Sequence, residues 1–390
     1  MKNTITKTKT KNKLIYIIKG AVAVLHIPLL LLLYIIEPFV KFRFGYISTD
    51  RIGHFALDLG YEIAKNKNKN KKEINLYFLQ DKTSNSQLKA IAKRELNVSQ
   101  WYKYLVYAYT LLGLEKKVNI PYRHKNGSRD KTGIMLNSHY DISLLPEENK
   151  ESELFLKKFG WSKGEKFVCV NVRDSAFFNE SECVRNSDID SFIDAINYLL
   201  DLDYWVIRIG RKVNKSLDIN DNKFIDYATD PKNNDLLDVW LCKNCEFLIS
   251  TGTGIDAVAM MFKKEIVFVN YIPFSHIISW VNNISAPKRL FWKDGRQLTL
   301  TEHLDNVWPS TFKEKGINIV DLTPGEIKSV VQEMVSRING TPLTNQQIQD
   351  QKIFWNILES HKIYRMYHGV RDPMATFATS YLDNNLDFLK

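Results

Sequence analysis

Between residues 167 and 270, short apolar runs alternate with amphipathic stretches. "FVCVNV" (167–172), "YWVIRIG" (204–210), "EFLIS" (246–250) and "EIVFVN" (265–270) have the length and continuity of strands buried on both faces. Ile189, Phe192, Ile193, Ile196, Leu199 and Leu200 recur with a period of 3.6 and predict a helix, and "DLLDVWLCKN" (235–244) predicts another. Strands alternating with helices imply a mostly parallel sheet, which receives ligands at the carboxyl ends of its strands. A looser version of the pattern precedes it. "FGYIST" (44–49) and "INLYFLQ" (74–80) read as strands, "DRIGHFALDLGYEIAK" (50–65) as a loop entering a helix, and 85–95 and 99–113 as helices. The apolar run "GIMLN" (133–137) completes a first α/β domain, and the acidic, proline-containing "LLPEENKES" (144–152) reads as a linker. A chain of 390 residues accommodates two such domains.

The amino terminus breaks the pattern. From Leu14 to Val40 the only charged residues are Lys19 and Glu37, and "GAVAVLHIPLLLLLYII" (20–36) has none. A run this long predicts a membrane segment. Pro28 falls near its middle, where proline breaks or kinks a helix. Basic residues flank both ends, Lys11, Lys13 and Lys19 before it and Lys41 and Arg43 after it. A re-entrant pair of half-helices keeps both flanks on the cytoplasmic side, and this form is favoured over a single spanning helix.

Composition narrows the function classes. The net charge is +10, but six lysines crowd residues 1–19 and five more fall in "KNKNKNKK" (65–72). Lysine–asparagine runs of this kind read as solvated segments, so no nucleic-acid partner is expected. Four cysteines in a chain of this length do not make a disulfide framework. "CKNC" (242–245) lacks a second pair at zinc spacing, and neither G-x-S-x-G nor H-E-x-x-H occurs.

The candidate chemistry sits at strand ends. In "FLISTGTGIDAVAMMFKKEIVFVN" (247–270) a Gly/Thr cluster, Ser250, Thr251, Gly252, Thr253 and Gly254, joins a strand to a short helix, an arrangement that presents backbone N–H groups to an anion. Its spacing is that of neither a P-loop nor a dinucleotide fingerprint. Arg173, with Asp174, follows the first strand of this half and Arg211 the second, while Arg185 lies shortly beyond. Cationic forks beside backbone donors suit a diphosphate.

The chain resembles the bacterial glycosyltransferases encoded with surface-polysaccharide genes, of GT-B type. The resemblance rests on "RIGHFALDLGYEI" (51–63), "NVRDSAFF" (171–178), "RNSDIDSFIDAINYLL" with "YWVIRIGR" (185–211), and the 247–270 segment, within residues 45–305. More distantly, the strand followed by Arg173 is similar to the arginine-bearing donor site of fucosyltransferases. It implies two Rossmann-like α/β domains facing a cleft. Residues 44–150 would hold the acceptor and 151–340 the nucleotide sugar, behind a 1–43 membrane anchor. Helices in 341–390, from about Thr344, would cross back to the first domain. The expected partners are a nucleotide diphosphate sugar and a glycan or lipid-linked glycan acceptor at the cytoplasmic face of the inner membrane.

For the acceptor's general base the candidates are His54, Asp50 and Asp174. "DID" (188–190) matches an Asp-x-Asp metal motif, but its place at a helix start beside Ser187, a candidate cap, predicts helix-dipole compensation, so neither metal nor cofactor is expected. Two alternatives stand beside the transferase: a ketal pyruvyltransferase of the same pathways, and a non-catalytic nucleotide-sugar-binding scaffold at the membrane.

Overall fold

The computed structural model describes residues 20–21, 24–67, 72–114, 130–176 and 183–390. The chain divides into two compact units, Met1–Lys125 with Ser138–Tyr140, and Asn126–Asn137 with Asp141–Lys390. Both are α/β with parallel main sheets.

The first unit carries a parallel sheet of β1 (Lys41–Ile47), β2 (Glu73–Leu79) and β3 (Asn97–Val98), in that order. The helix Ile52–Lys67 follows β1 and buries Phe55, Ala56, Leu59, Ile63 and Ala64. Helix Ser86–Glu95 starts where the Asn85 side chain accepts the Leu88 N–H at 2.9 Å, satisfying one of the orphan donors of the first turn. Helices Ile27–Ile36 and Tyr102–Leu111 complete the unit among the described residues. No helix among the described residues is long and apolar enough to cross a membrane. The basic tail 1–19 and residues 22–23 of the expected membrane segment lie outside the described residues.

The second unit is built on a seven-stranded sheet in which every pairing is parallel. Its order is β12-β9-β8-β7-β4-β5-β6, with β4 Phe167–Asn171, β5 Trp205–Arg208, β6 Phe224–Ile225, β7 Phe247–Ser250, β8 Glu265–Tyr271, β9 Asn283–Pro287 and β12 Ala375–Phe377. β10 (Arg289–Phe291) and β11 (Asn318–Val320) form a separate antiparallel pair. All residues of β4, β5 and β7 are buried, which explains the apolar runs that lead to their polar last residues, Asn171, Arg208 and Ser250. The helix Pro324–Ile338, closed by a Thr323–Glu326 capping box, lays Ile327, Val330, Val331 and Met334 into the core shared with Ile196 and Leu199.

Several expectations are corrected here. "LLPEENKES" is not a linker: Pro146 opens the helix Pro146–Lys157, and Glu148 Oε2 accepts the Leu145 N–H at 2.8 Å, so proline and acid are helix-start devices. "GIMLN" is one helical turn, Ile134–Asn137, within the second unit. Residues 341–390 contribute the helix Asn345–Ser360 and β12 to the second unit, with Phe354, Trp355 and Leu358 buried in its core.

Candidate functional site

The chain enters the large sheet at β4, adds β5 and β6 on one side, then returns to place β7 on the other side of β4. Strand order therefore reverses between β4 and β7. In doubly wound sheets the loops leaving two such strands diverge and open a crevice at their carboxyl ends. The loops leaving β4 and β7 carry Arg173 and the 250–254 cluster, and the structure brings these sequence-distant segments together. The Arg173 N–H donates to Thr251 Oγ1 at 2.9 Å, and the Asn171 amide donates to Thr253 Oγ1. Arg185 reaches the same loop, its guanidinium donating to the Gly252 carbonyl. The Arg173 guanidinium contacts Cys183 Sγ at 3.6 Å.

The loop has a fixed shape. Gly252 has φ +82°, in the left-handed region, and a Cβ there would lie 2.8 Å from the Tyr271 ring. That ring is itself held, since its hydroxyl donates to the His276 carbonyl at 2.8 Å. Gly254 does not share the positive φ. Beneath the loop lies the buried Asp256 carboxylate, which accepts the Ser250 hydroxyl at 2.6 Å and the Thr253 N–H. Burial pushes its pKa up to about 6, against the hydrogen bonds from Ser250 and Thr253 and the charge of Arg185.

A cavity of about 450 Å³ adjoins this crevice, lined by Val172, Asp174, Ser187, Arg208, Lys215 and Asp321 among others. Its walls are held by pairs. Arg208, almost fully buried, donates to Asp226 Oδ2 at 3.1 Å and to the Lys215 carbonyl at 2.8 Å. Asp321 pairs with the buried Lys288 at 2.6 Å, and Asn270 donates to Ser187 Oγ at 3.2 Å. Asp174 caps two turns, accepting the Ala176 N–H at 2.9 Å and the Asn214 N–H at 2.7 Å.

Asp188 and Asp190 of the Asp-x-Asp match both pair with Lys215, at 2.8 and 2.6 Å, and the hydrogen bond from Lys215 holds the Asp188 carboxyl below its ordinary pKa. The cap of the 3₁₀ turn Ile189–Phe192 is Asp188, which accepts the Asp190 N–H at 3.2 Å, rather than Ser187, which faces Asn270. Arg211 lies one strand away from the crevice, where its guanidinium binds Asp235 and, at 2.6 Å, Asp238. Burial opposes its charge, but the two carboxylates hold its pKa above the ordinary arginine value.

In the first unit, His54 stands in the first turn of the helix Ile52–Lys67 rather than in the preceding loop. Burial, with the charge of Arg51 adding to it, lowers its pKa, so the imidazole is neutral near pH 7 and able to accept a proton. Asp50 accepts the Ser48 hydroxyl at 2.9 Å, and that bond lowers its pKa, which weakens it as a base.

Sequence reading missed Asp256, Asn171, Lys288 and Asp321. Asp256 carried a signal, an acid at the first helical position two residues after Gly254, and Asn171 another, two residues before Arg173; Lys288 and Asp321 are joined to the site only by tertiary contact. Cys242 and Cys245 are buried with Cys169, and among the described residues no group of three or more His, Cys, Asp or Glu could hold a metal ion.

No family model matches the chain, and no curated protein matches it. Among solved structures, a glycosyl transferase family 9 protein from Veillonella parvula is 10% identical, with 60% of this chain and 83% of that one covered and a TM-score of 0.39. The ADP-heptose LPS heptosyltransferase II of E. coli is 11% identical over 75% of this chain and 99% of that one, also with a TM-score of 0.39. The iron-containing dodecameric glycosyltransferase TibC of enterotoxigenic E. coli is 13% identical over 63% of this chain and 59% of that one, with a TM-score of 0.34. Likenesses this weak do not carry an activity from those proteins to this one.

Proposed function

We propose that the protein is a metal-independent, GT-B-type glycosyltransferase that moves a sugar from a nucleotide diphosphate donor to a surface-glycan acceptor, lipid-linked, at the cytoplasmic face of the inner membrane. One observation carries the donor side: Arg173, Arg185 and the Ser250–Gly254 loop meet where the order of a doubly wound sheet reverses. In the reaction the bond between the anomeric carbon and the diphosphate oxygen breaks. The acceptor oxygen bonds to that carbon, its proton goes to a general base, and the nucleoside diphosphate leaves. Negative charge accumulates on the leaving diphosphate. Guanidinium groups held in a partly dehydrated crevice stabilise that charge without a metal, each charge-assisted hydrogen bond contributing roughly 1.5–3 kcal/mol. The adjoining cavity, with carboxylate, amide and hydroxyl side chains on its walls, suits the hydrogen-bonding edges of a ribose and base. His54 is the proposed base, because it is held neutral whereas Asp50 is held ionised and weakly basic.

The test is a sugar-transfer assay on membranes carrying the full chain, with donors of each common nucleobase and with and without EDTA. Turnover that survives EDTA, with release of a nucleoside diphosphate, is the expected result. Activity abolished by EDTA and restored by manganese would overturn the metal-free reading. Tight binding of a nucleotide sugar without any turnover would make the chain a scaffold instead.

A further inference from the structure

We infer that the helices Ile27–Ile36 and Tyr102–Leu111 together form one surface that lies in the plane of a lipid bilayer, with Trp101 at the headgroup level. The two helices are packed side by side in the first unit. Leu30, the buried residue of the first helix, and Leu33 join Leu105, Ala108, Tyr109 and Phe44 in one small core cluster. Almost everything else on the first helix is apolar and turned outward. Leu31 is 59% exposed, Tyr34 64% and Ile35 69%, and Leu25 just before the helix is 78% exposed. Isolated exposed leucines are ordinary, but a contiguous face of them is not. The second helix extends the face from a separate part of the sequence: Trp101 is 66% exposed and Leu111 59%. The two are continuous through His26, whose ring lies 5.8 Å from that of Trp101 and 5.9 Å from that of Tyr104.

The geometry selects how such a face meets lipid. The helix Ile27–Ile36 has 10 residues, hence a length of about 15 Å, roughly half of a hydrocarbon core. It enters a bilayer by lying along the interface, where a Trp, Tyr and His cluster at one end suits the wet boundary. Charge selects lipid over a protein partner. Residues 1–19 hold six lysines and no acid, and Lys41 and Arg43 follow the helix. Glu37, the one acid of the segment, pairs with Arg43 at 3.6 Å. Lysine is depleted at protein interfaces, whereas each Lys or Arg near an anionic leaflet contributes about 1 kcal/mol of attraction. This surface deepens the membrane part of the proposed function, and its test involves no sugar transfer, so the two fail separately.

The experiment is flotation of the full chain with vesicles of phosphatidylcholine, alone or with about one-third phosphatidylglycerol, combined with quenching of tryptophan emission by brominated phosphatidylcholine. The full chain is expected to float with both, more strongly with the anionic vesicles, and high salt should remove only that increment. Leu31→Glu with Ile35→Glu, at exposed positions that leave the melting temperature unchanged, should reduce the bound fraction on the order of tenfold. Trp101→Phe should remove most of the lipid-dependent quenching, which a merely structural role for Trp101 would leave in place. Quenching unchanged in Trp101→Phe would overturn the shared surface, since the first helix carries no tryptophan and the lipid-facing one would then lie elsewhere in the chain. A full chain that stays with the soluble fraction and forms dimers by light scattering would assign the face to a second copy and overturn the bilayer as its partner.

Discussion

Arg173 and Arg211 each follow a buried strand of the same parallel sheet, and from the sequence the two are equivalent. β4 delivers Arg173 to the point where strand order reverses, where its backbone N–H joins Thr251 and its neighbour Arg185 donates to the Gly252 carbonyl. β5 delivers Arg211 one position further out, where Asp235 and Asp238 on the following helix take its guanidinium. A guanidinium already bound by two carboxylates has its charge balanced and its donors directed, and a diphosphate would have to displace both. The neighbouring strand end offers a reversal point, a Gly-shaped loop and a second arginine. Position in the sheet, more than residue type, separates the arginine proposed to bind the diphosphate from the one held in ion pairs.

The largest effect that sharpens this contrast is on turnover. Arg173→Ala is expected to lose on the order of a hundredfold in sugar transfer, the scale seen when a preorganised charge-stabilising donor is deleted. Arg173→Lys should recover little of it, because an ammonium keeps the charge and loses the fork. Steady-state kinetics of both variants check this. A wild-type rate in Arg173→Ala would remove the arginine from the reaction.

Gly252→Val comes next. The backbone there has φ +82° and the new side chain would press on a Tyr271 ring that is anchored to His276. Nucleoside diphosphate affinity, read by calorimetry, should weaken by about tenfold or more, whereas Gly254→Val, at a position without that constraint, should weaken it less. Equal losses would mean that the left-handed turn is not what shapes the loop.

Arg211→Ala should act on stability and not on chemistry. It leaves Asp235 and the buried Asp238 without their cation, which costs on the order of 1–3 kcal/mol, while transfer should stay within about twofold of wild type. Thermal unfolding and the same kinetic assay separate the two outcomes, and a rate loss like that of Arg173→Ala at unchanged stability would break the comparison.

The smallest effect concerns pH. In the folded protein burial raises the Asp256 pKa to about 6 from an ordinary value of 3.8, so between those values the native state holds a proton that the unfolded chain has released. Wild-type stability, measured against Asp256→Asn, should therefore decline as pH rises from about 4 to about 6 and level off above it. Denaturant midpoints of the two proteins across that range are the check, and parallel curves would show that the carboxyl is not perturbed.

What the sequence revealed follows from the range of the interactions involved. β4, β5, β7 and β8 are legible because burial on both faces writes an apolar run, and the Gly/Thr loop is legible because a left-handed turn needs Gly252. β9 is hidden, since "NISAP" reads as polar. Its Asn283 is nonetheless buried, with the amide donating to the carbonyls of Ile278 and Val281 at 2.8 and 2.6 Å and Ser285 donating to its oxygen. Tertiary hydrogen bonds make those side chains compatible with a core, and no local pattern records them. The same holds for the ion pairs. Arg211 with Asp235 and Asp238, and Lys215 with Asp188 and Asp190, join residues separated by whole secondary-structure elements. For "LLPEENKES" the misreading was of another kind: proline and glutamate mark either a linker or a helix start, and the capping hydrogen bond to Leu145 decides for the helix.

The central claim is that the β4–β7 reversal point holds the diphosphate of a nucleotide sugar. Its most direct test is calorimetric titration of the full chain and of Arg173→Ala, Arg185→Ala and Arg211→Ala with UDP, GDP, ADP and CDP. At least one of the four should bind the wild type, bind Arg173→Ala and Arg185→Ala at least tenfold more weakly, and bind Arg211→Ala unchanged. Binding that is equal in all four proteins, or that is lost only in Arg211→Ala, would contradict it.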